Sequence, residues 1–137
     1  MIFLDTNVMS ETLKKAPDPG VVAWLTRFDV DLALSTVAIA EIAYGIAKIR
    51  PDQRSRRLAA GLEEWRRRFA DRIFAFTEPA ALAYGDMMGE ASRSGQPMSI
   101  PDAMIAAIAK VNGGQLATRN LADFATTGLE LVSPWDF

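Results

Sequence analysis

The sequence predicts an α/β fold with a short parallel-type sheet of about five strands, flanked by helices on both faces. Three observations support it. Short apolar runs, beginning with Ile2-Phe3-Leu4, alternate with longer segments that carry helix start signals. Those runs are apolar at consecutive positions, as expected of strands covered on both faces. Clear breakers such as Asn112-Gly113-Gly114 separate the elements, and no low-complexity linker divides the chain. One domain spanning residues 1–137 is expected, the size of a single hydrophobic core.

The first strand is Ile2-Phe3-Leu4, ending at Asp5. Thr6-Asn7 supplies cap-type residues before a short helix over Val8–Leu13. Asp18-Pro19 opens a helix to about Phe28, with Pro at its first position. Leu32–Ser35 reads as the second strand, and Thr36 as the cap of a helix from Val37 to about Ile49. Pro51 opens an Arg-rich helix to about Phe69. Ile73–Phe76 is the third strand, and Glu78-Pro79 starts a helix to about Ser94. After the Ser94–Pro97 loop, Pro101 sits in the first turn of a helix from Asp102 to about Val111. Gln115–Thr118 and Leu129–Val132 complete the strands. Ala-Tyr-Gly recurs at 43–45 and 83–85, but the flanks differ, so it is no repeat.

Composition removes several classes of chemistry. Half of the 137 residues are hydrophobic, yet no run approaches the roughly 18 apolar residues of a membrane span. The N-terminus has no basic segment or cleavage site, and it reads as a first strand rather than an export signal. There is no cysteine, hence no disulfide or thiolate site, and a cytoplasmic protein is expected. There is no histidine, which excludes His-based triads and His zinc sites. Oxygen ligands alone favour the hard cations Mg²⁺, Mn²⁺ or Ca²⁺ over zinc. With 15 basic and 17 acidic residues, net charge −2, the chain lacks the bulk positive charge of a protein that grips nucleic acid by charge alone. That leaves a short or single-stranded nucleic acid beside a metal as the compatible substrate of that class.

Three acids stand where acids are costly. Asp5 is the only charged residue from Met1 to Ser10, Glu41 the only one between Asp31 and Lys48, and Asp102 the only one between Arg93 and Lys110. A buried carboxylate needs a cation or good donors, and no Lys or Arg is near any of the three in sequence. One pocket holding a divalent metal satisfies all of them. In open parallel sheets such a pocket forms outside the carboxyl ends of the strands. Asp5 follows a strand directly, Asp102 lies in a first helical turn, and Glu41 lies one turn into its helix. Asp5 and Asp102 are the candidate metal ligands, with Glu41 and Asp123 acting through water, as base, or on a second ion. Thr6, Asn7, Thr118, Arg119 and Asn120 are the candidate polar neighbours, and Asn120 competes with Asp123 for the fourth position. Each Asp alone also reads as a helix cap or turn residue. Glu41, mid-helix among alanines and isoleucine, has no such role.

These segments resemble the motifs of the PIN-domain ribonucleases, and within them the VapC-type toxins of bacterial toxin–antitoxin pairs. The residues that carry the likeness are Ile2-Phe3-Leu4-Asp5-Thr6-Asn7-Val8, Leu34 to Ile42 around Glu41, Ile100 to Ala107 around Asp102, and Leu116 to Phe124 around Asp123. The opening motif, Val21-Val22-Ala23-Trp24-Leu25 and the Pro134-Trp135 ending look closest to the FitB-like branch. The resemblance implies a PIN-like fold and an endoribonuclease dependent on Mg²⁺, or Mn²⁺, with Asp5, Glu41, Asp102 and Asp123 as its acids. It also implies a homodimer, a cognate antitoxin protein as inhibitor, an RNA substrate, and operator DNA reached only through the antitoxin. Some relatives carry the fourth acid where Asn120 stands. The competing function is a non-catalytic PIN-fold scaffold in the same complex.

Other designs fit less well. A phosphoacceptor receiver needs adjacent acids after its first strand and a Lys at a later strand end, whereas Asp5 is single and Thr118-Arg119 ends the fourth strand. An aspartyl phosphatase needs an acid at position 7, which is Asn7. The arginines at 50, 54, 56, 57, 66, 67 and 68 read as a solvated helix face, interrupted by Glu63 and Glu64, with an RNA-backbone contact as the alternative. Trp24, Trp65 and Trp135, with Met87, Met88 and Met104, read as core or interface.

Overall fold

Consecutive strand residues point to opposite faces of a sheet, so a strand buried at every position must be covered on both sides. Strands β1 (Ile2–Leu4) and β2 (Leu32–Ser35) have this pattern throughout. In the computed structural model, which describes residues 1–137, they form part of a five-stranded sheet in the order β3-β2-β1-β4-β5. β3 is Ile73–Phe74, β4 Gln115–Ala117 and β5 Leu131–Val132, and every pairing is parallel. Six helices connect them: α1 (Thr6–Thr12), α2 (Pro19–Arg27), α3 (Thr36–Lys48), α4 (Gln53–Arg68), α5 (Glu78–Arg93) and α6 (Ile100–Val111). Single 3-10 turns cover Asp29–Asp31, Leu121–Phe124 and Pro134–Asp136.

The chain starts in the centre, builds outward through β2 to β3, then crosses back to place β4 on the other side of β1. That reversal creates a switch point between β1 and β4, where the loops leaving the two strands diverge and a crevice opens. The predicted α/β class and strand number stand, with shifts at several ends. Asp5 itself caps α1, which begins at Thr6 rather than Val8. Ser35, not Thr36, caps α3, its hydroxyl accepting from the Ala38 amide at 3.0 Å. Asp52 caps α4, and Pro51 lies just ahead of it. β3 stops at Phe74 because its partner residues on β2 are Leu34 and Ser35, the last of that strand.

The core joins Phe3 and Leu4 to Leu32, Leu34 and Leu116 of neighbouring strands and to Val8 and Met9 of α1. Helix α6 is the most deeply set: Ala103 and the run Ile105–Ala109 are fully buried. Its alanines allow close approach of α5, and its fixed position holds the first turn, where Asp102 sits. Trp24 is in the core. Trp65 is half-buried, stacks on Phe69 and donates its indole N–H to Thr12 Oγ1 at 3.0 Å. No helix is long and apolar enough to cross a membrane.

Candidate active site

Asp5 emerges at the carboxyl end of the central strand, and its backbone N–H extends the ladder to the Ala117 carbonyl at 2.9 Å. Its side chain is only 4 % exposed. One carboxylate oxygen accepts the Thr6 amide at 2.8 Å, and the other accepts the Thr118 hydroxyl at 2.8 Å. Thr118 leaves the adjacent strand β4, so this hydrogen bond spans the switch point. The same hydroxyl oxygen accepts the Asn120 amide at 3.1 Å and the Asn7 side-chain amide at 3.5 Å. Asn7 in turn accepts the Arg119 amide at 3.4 Å. The first and fourth sequence segments are thus stitched together around Asp5.

Glu41 projects from the second turn of α3, half-buried, and accepts the Thr6 hydroxyl at 2.5 Å. Asp102 lies in the first turn of α6, where its amide donates to the capping Ser99 hydroxyl at 3.2 Å. Asp123 sits exposed in the turn after β4, and its amide donates to the Asn120 carbonyl at 3.1 Å. The carboxylates are close enough to act on each other. Burial, above all, pushes the Asp5 carboxyl from 3.8 up to about 6; the Asp102 and Glu41 charges add to the rise, while the Thr118 and Thr6 hydrogen bonds oppose it. Burial likewise raises Asp102, with the charges of Glu41 and Asp123 adding and Ser99 opposing. None of the four pairs with a Lys or Arg; every ion pair in the protein lies elsewhere. Arg119 makes no ion pair with Glu41; its guanidinium rests 5.1 Å from the Trp135 ring centroid.

Residues 2–128 match the PIN domain family. The chain belongs to that family. It is 36 % identical over 138 residues to a VapC ribonuclease, Y4jK, of Sinorhizobium fredii, covering 99 % of each chain. It is 36 % identical over 137 residues to the toxin FitB of Neisseria gonorrhoeae, covering 98 % of this chain and 99 % of that one. A solved structure of FitAB bound to an IR36 DNA fragment superposes with a TM-score of 0.90 at 35 % identity, over 98 % of this chain and 96 % of that one.

In this PIN domain the topology brings the four predicted acids to one edge of the sheet, but not into a tight cluster. No three carboxylates stand close enough together to form a ready-made cage for a metal ion. The donor set still suits a hard divalent cation: carboxylate oxygens only, mutually repelling, one of them buried without a cation. Mg²⁺ commonly takes just one or two carboxylates and fills its shell with water. Of the two competitors for the fourth position, Asp123 is the one whose charge reaches Asp102. Asn120 meets the site through its backbone amide on Thr118.

Two residues escaped the sequence reading. Ser99 caps α6 beside Asp102, and its signal was the Ser-x-x-Asp spacing of a capping box. Glu11 is an additional buried acid, 5 % exposed, that accepts the Asp18 amide and pairs with Lys14 at 2.9 Å. Its carboxyl is held below the usual range, chiefly by the Lys14 hydrogen bond and then by the Asp18 amide. Lys14 three residues on was the visible sign that Glu11 already has a cation. It ties α1 to the start of α2.

Proposed function

We propose that this PIN domain is an endoribonuclease dependent on Mg²⁺ or Mn²⁺, working as the toxin of a toxin–antitoxin pair. The observation that carries the reading is Asp5: a buried carboxylate at the switch point, without a cation, that feels the charges of Asp102 and Glu41. Asp5 and Asp102 would hold the ion. When bound, it supplies positive charge to the phosphodiester and lowers the pKa of an attacking water.

The chain's own residues do the rest. Thr118 and the Thr6 amide fix both Asp5 oxygens, so the ligand does not swing. Glu41, steadied by the Thr6 hydroxyl, takes the proton that water releases as its oxygen attacks phosphorus and a bridging oxygen leaves. Asp123 orients water at the rim. Arg119 is exposed, makes no ion pair, and meets a substrate phosphate. The names VapC ribonuclease and toxin FitB on relatives at 36 % identity support the reaction class and the biological role. The DNA-bound FitAB structure supports a protein partner that carries the complex to operator DNA. A net charge of −2 suits a chain that leaves DNA to that partner. A homodimer is the assembly expected of such a toxin.

Purified protein incubated with structured RNA tests the proposal. Cleavage in Mn²⁺ that stops in EDTA and in Asp5→Asn is expected. Cleavage that persists in both marks a contaminant, and none under any condition favours the scaffold role.

A further inference from the structure

Helix α3 carries more than Glu41. Residues 41, 45 and 48 share one stripe of its surface at helical spacing. With Thr6 and Ser10 of α1 and Arg54 of α4, that stripe walls a cleft of about 260 Å³. Glu41 and Thr6 stand at one end, in the site already described. Lys48 and Arg54 stand at the other, seven helical residues or about 10 Å away. Gly45 leaves the wall open between them, since a Cβ there would meet nothing within 4 Å. Leu13, Ile42, Ile46 and Leu58 make the floor apolar. Tyr44 precedes Gly45 and does not line the cleft; it is 68 % exposed, and the Lys48 ammonium lies 5.4 Å from its ring centroid.

The structure divides the Arg-rich helix α4 into two kinds of arginine. At its C-terminal end, Arg66 pairs with Glu63 at 2.6 Å, Arg67 with Glu64 at 2.7 Å and Arg68 with Asp29 at 2.7 Å. Those three behave as a solvated, neutralised face. Arg54 has no ion pair, and neither has Lys48. Arg56 and Arg57 are unpaired as well but do not line the cleft, so Lys48 and Arg54 are the unpaired cations on its wall.

We propose that this cleft is a subsite for the backbone of single-stranded RNA on one side of the scissile phosphate. Lys48 and Arg54 hold a flanking phosphate, the apolar floor takes the intervening nucleoside, and Tyr44 stacks an unpaired base. The strand is single because an exposed ring can stack only on a base freed from a duplex. The inference rests on the endoribonuclease reading and adds where the strand runs. In a protein of net charge −2, two cations about 10 Å along the cleft from the acids supply local grip that bulk charge does not.

Fluorescence anisotropy with a fluorescein-labelled oligouridylate, in EDTA to prevent cleavage, tests the subsite by binding alone. Compared with wild type, Lys48→Ala/Arg54→Ala is expected to weaken binding about tenfold and to lower the salt slope by about 0.7, from one lost phosphate contact. Arg66→Ala/Arg67→Ala removes the same charge and should change neither. Tyr44→Ala should weaken binding and Tyr44→Phe should not. Equal affinity and slope in wild type and Lys48→Ala/Arg54→Ala would overturn the subsite, while Asp5-dependent cleavage in Mn²⁺ would keep the nuclease reading intact. Loss of antitoxin co-purification with RNA affinity unchanged would assign the cleft to a protein segment and likewise overturn it. Absence of RNA binding and cleavage in the wild type would remove both.

Discussion

The carboxylate of Asp5 caps α1 with one oxygen and takes the Thr118 hydroxyl with the other, so its orientation is set before any cation arrives. The energetic cost is visible in its protonation. The unfolded Asp5 titrates near 3.8 and the folded one at about 6. Well below pH 3.8 both states are protonated and Asp5 has no effect on stability. As pH rises through 4 to 6 the unfolded chain releases the proton first, so the metal-free fold loses stability. Above pH 6 the full penalty applies, about 3 kcal/mol. Asp5→Asn is therefore expected to raise the Tm of metal-free protein by about 10 °C at pH 8 and to leave it nearly unchanged at about pH 3. Calorimetry in EDTA checks this, and a lower Tm at pH 8 would count against the buried-charge reading. Thr118→Val removes the hydroxyl on Asp5 and should reduce turnover about 10- to 100-fold with the fold intact, whereas Thr118→Ser should retain activity. Asp5, Glu41 and Asp102 were legible in the sequence because a charge in an apolar run is conspicuous. The central part played by Thr118 was not, because a neutral hydroxyl in a strand exit looks the same whether or not it organises a site.

Helix ends and strand exits place these side chains, and each has a local cause. Ser35 is fully buried and caps α3, the helix that presents Glu41. Ser35→Ala should cost about 1 kcal/mol, read from the urea midpoint, with a parallel fall in activity as Glu41 loses its fixed entry. A Cβ at Gly114 would lie 2.8 Å from the Phe3 ring and 3.1 Å from the Met1 carbonyl. Gly114→Ala should therefore cost about 1–3 kcal/mol through overpacking against the central strand. The sequence located every strand and helix because breakers and caps bracket them. It missed their ends by a residue or two where two cap-type residues are adjacent, as at Ser35-Thr36, since only the backbone path decides which hydroxyl faces the free amides. It also overextended β3 toward Phe76, because strand length depends on the partner strand, which propensity does not reveal.

Across the whole molecule, the candidate site follows from strand order. Alternation of strands and helices predicts a parallel sheet, but not that β1 lies between β2 and β4. That order sets Asp5 beside Thr118, more than a hundred residues apart in sequence, and brings the starts of α3 and α6 to the same edge. In a cell, expression of the intact chain alone should arrest growth, with rescue by its antitoxin and loss of toxicity in Asp102→Asn. The most direct test of a shared cation site is isothermal titration of the metal-free protein with Mn²⁺. Saturable binding by wild type, abolished in Asp5→Asn and Asp102→Asn and retained in a surface control such as Asp136→Asn, is the expected result. The same heats from all four proteins would contradict it.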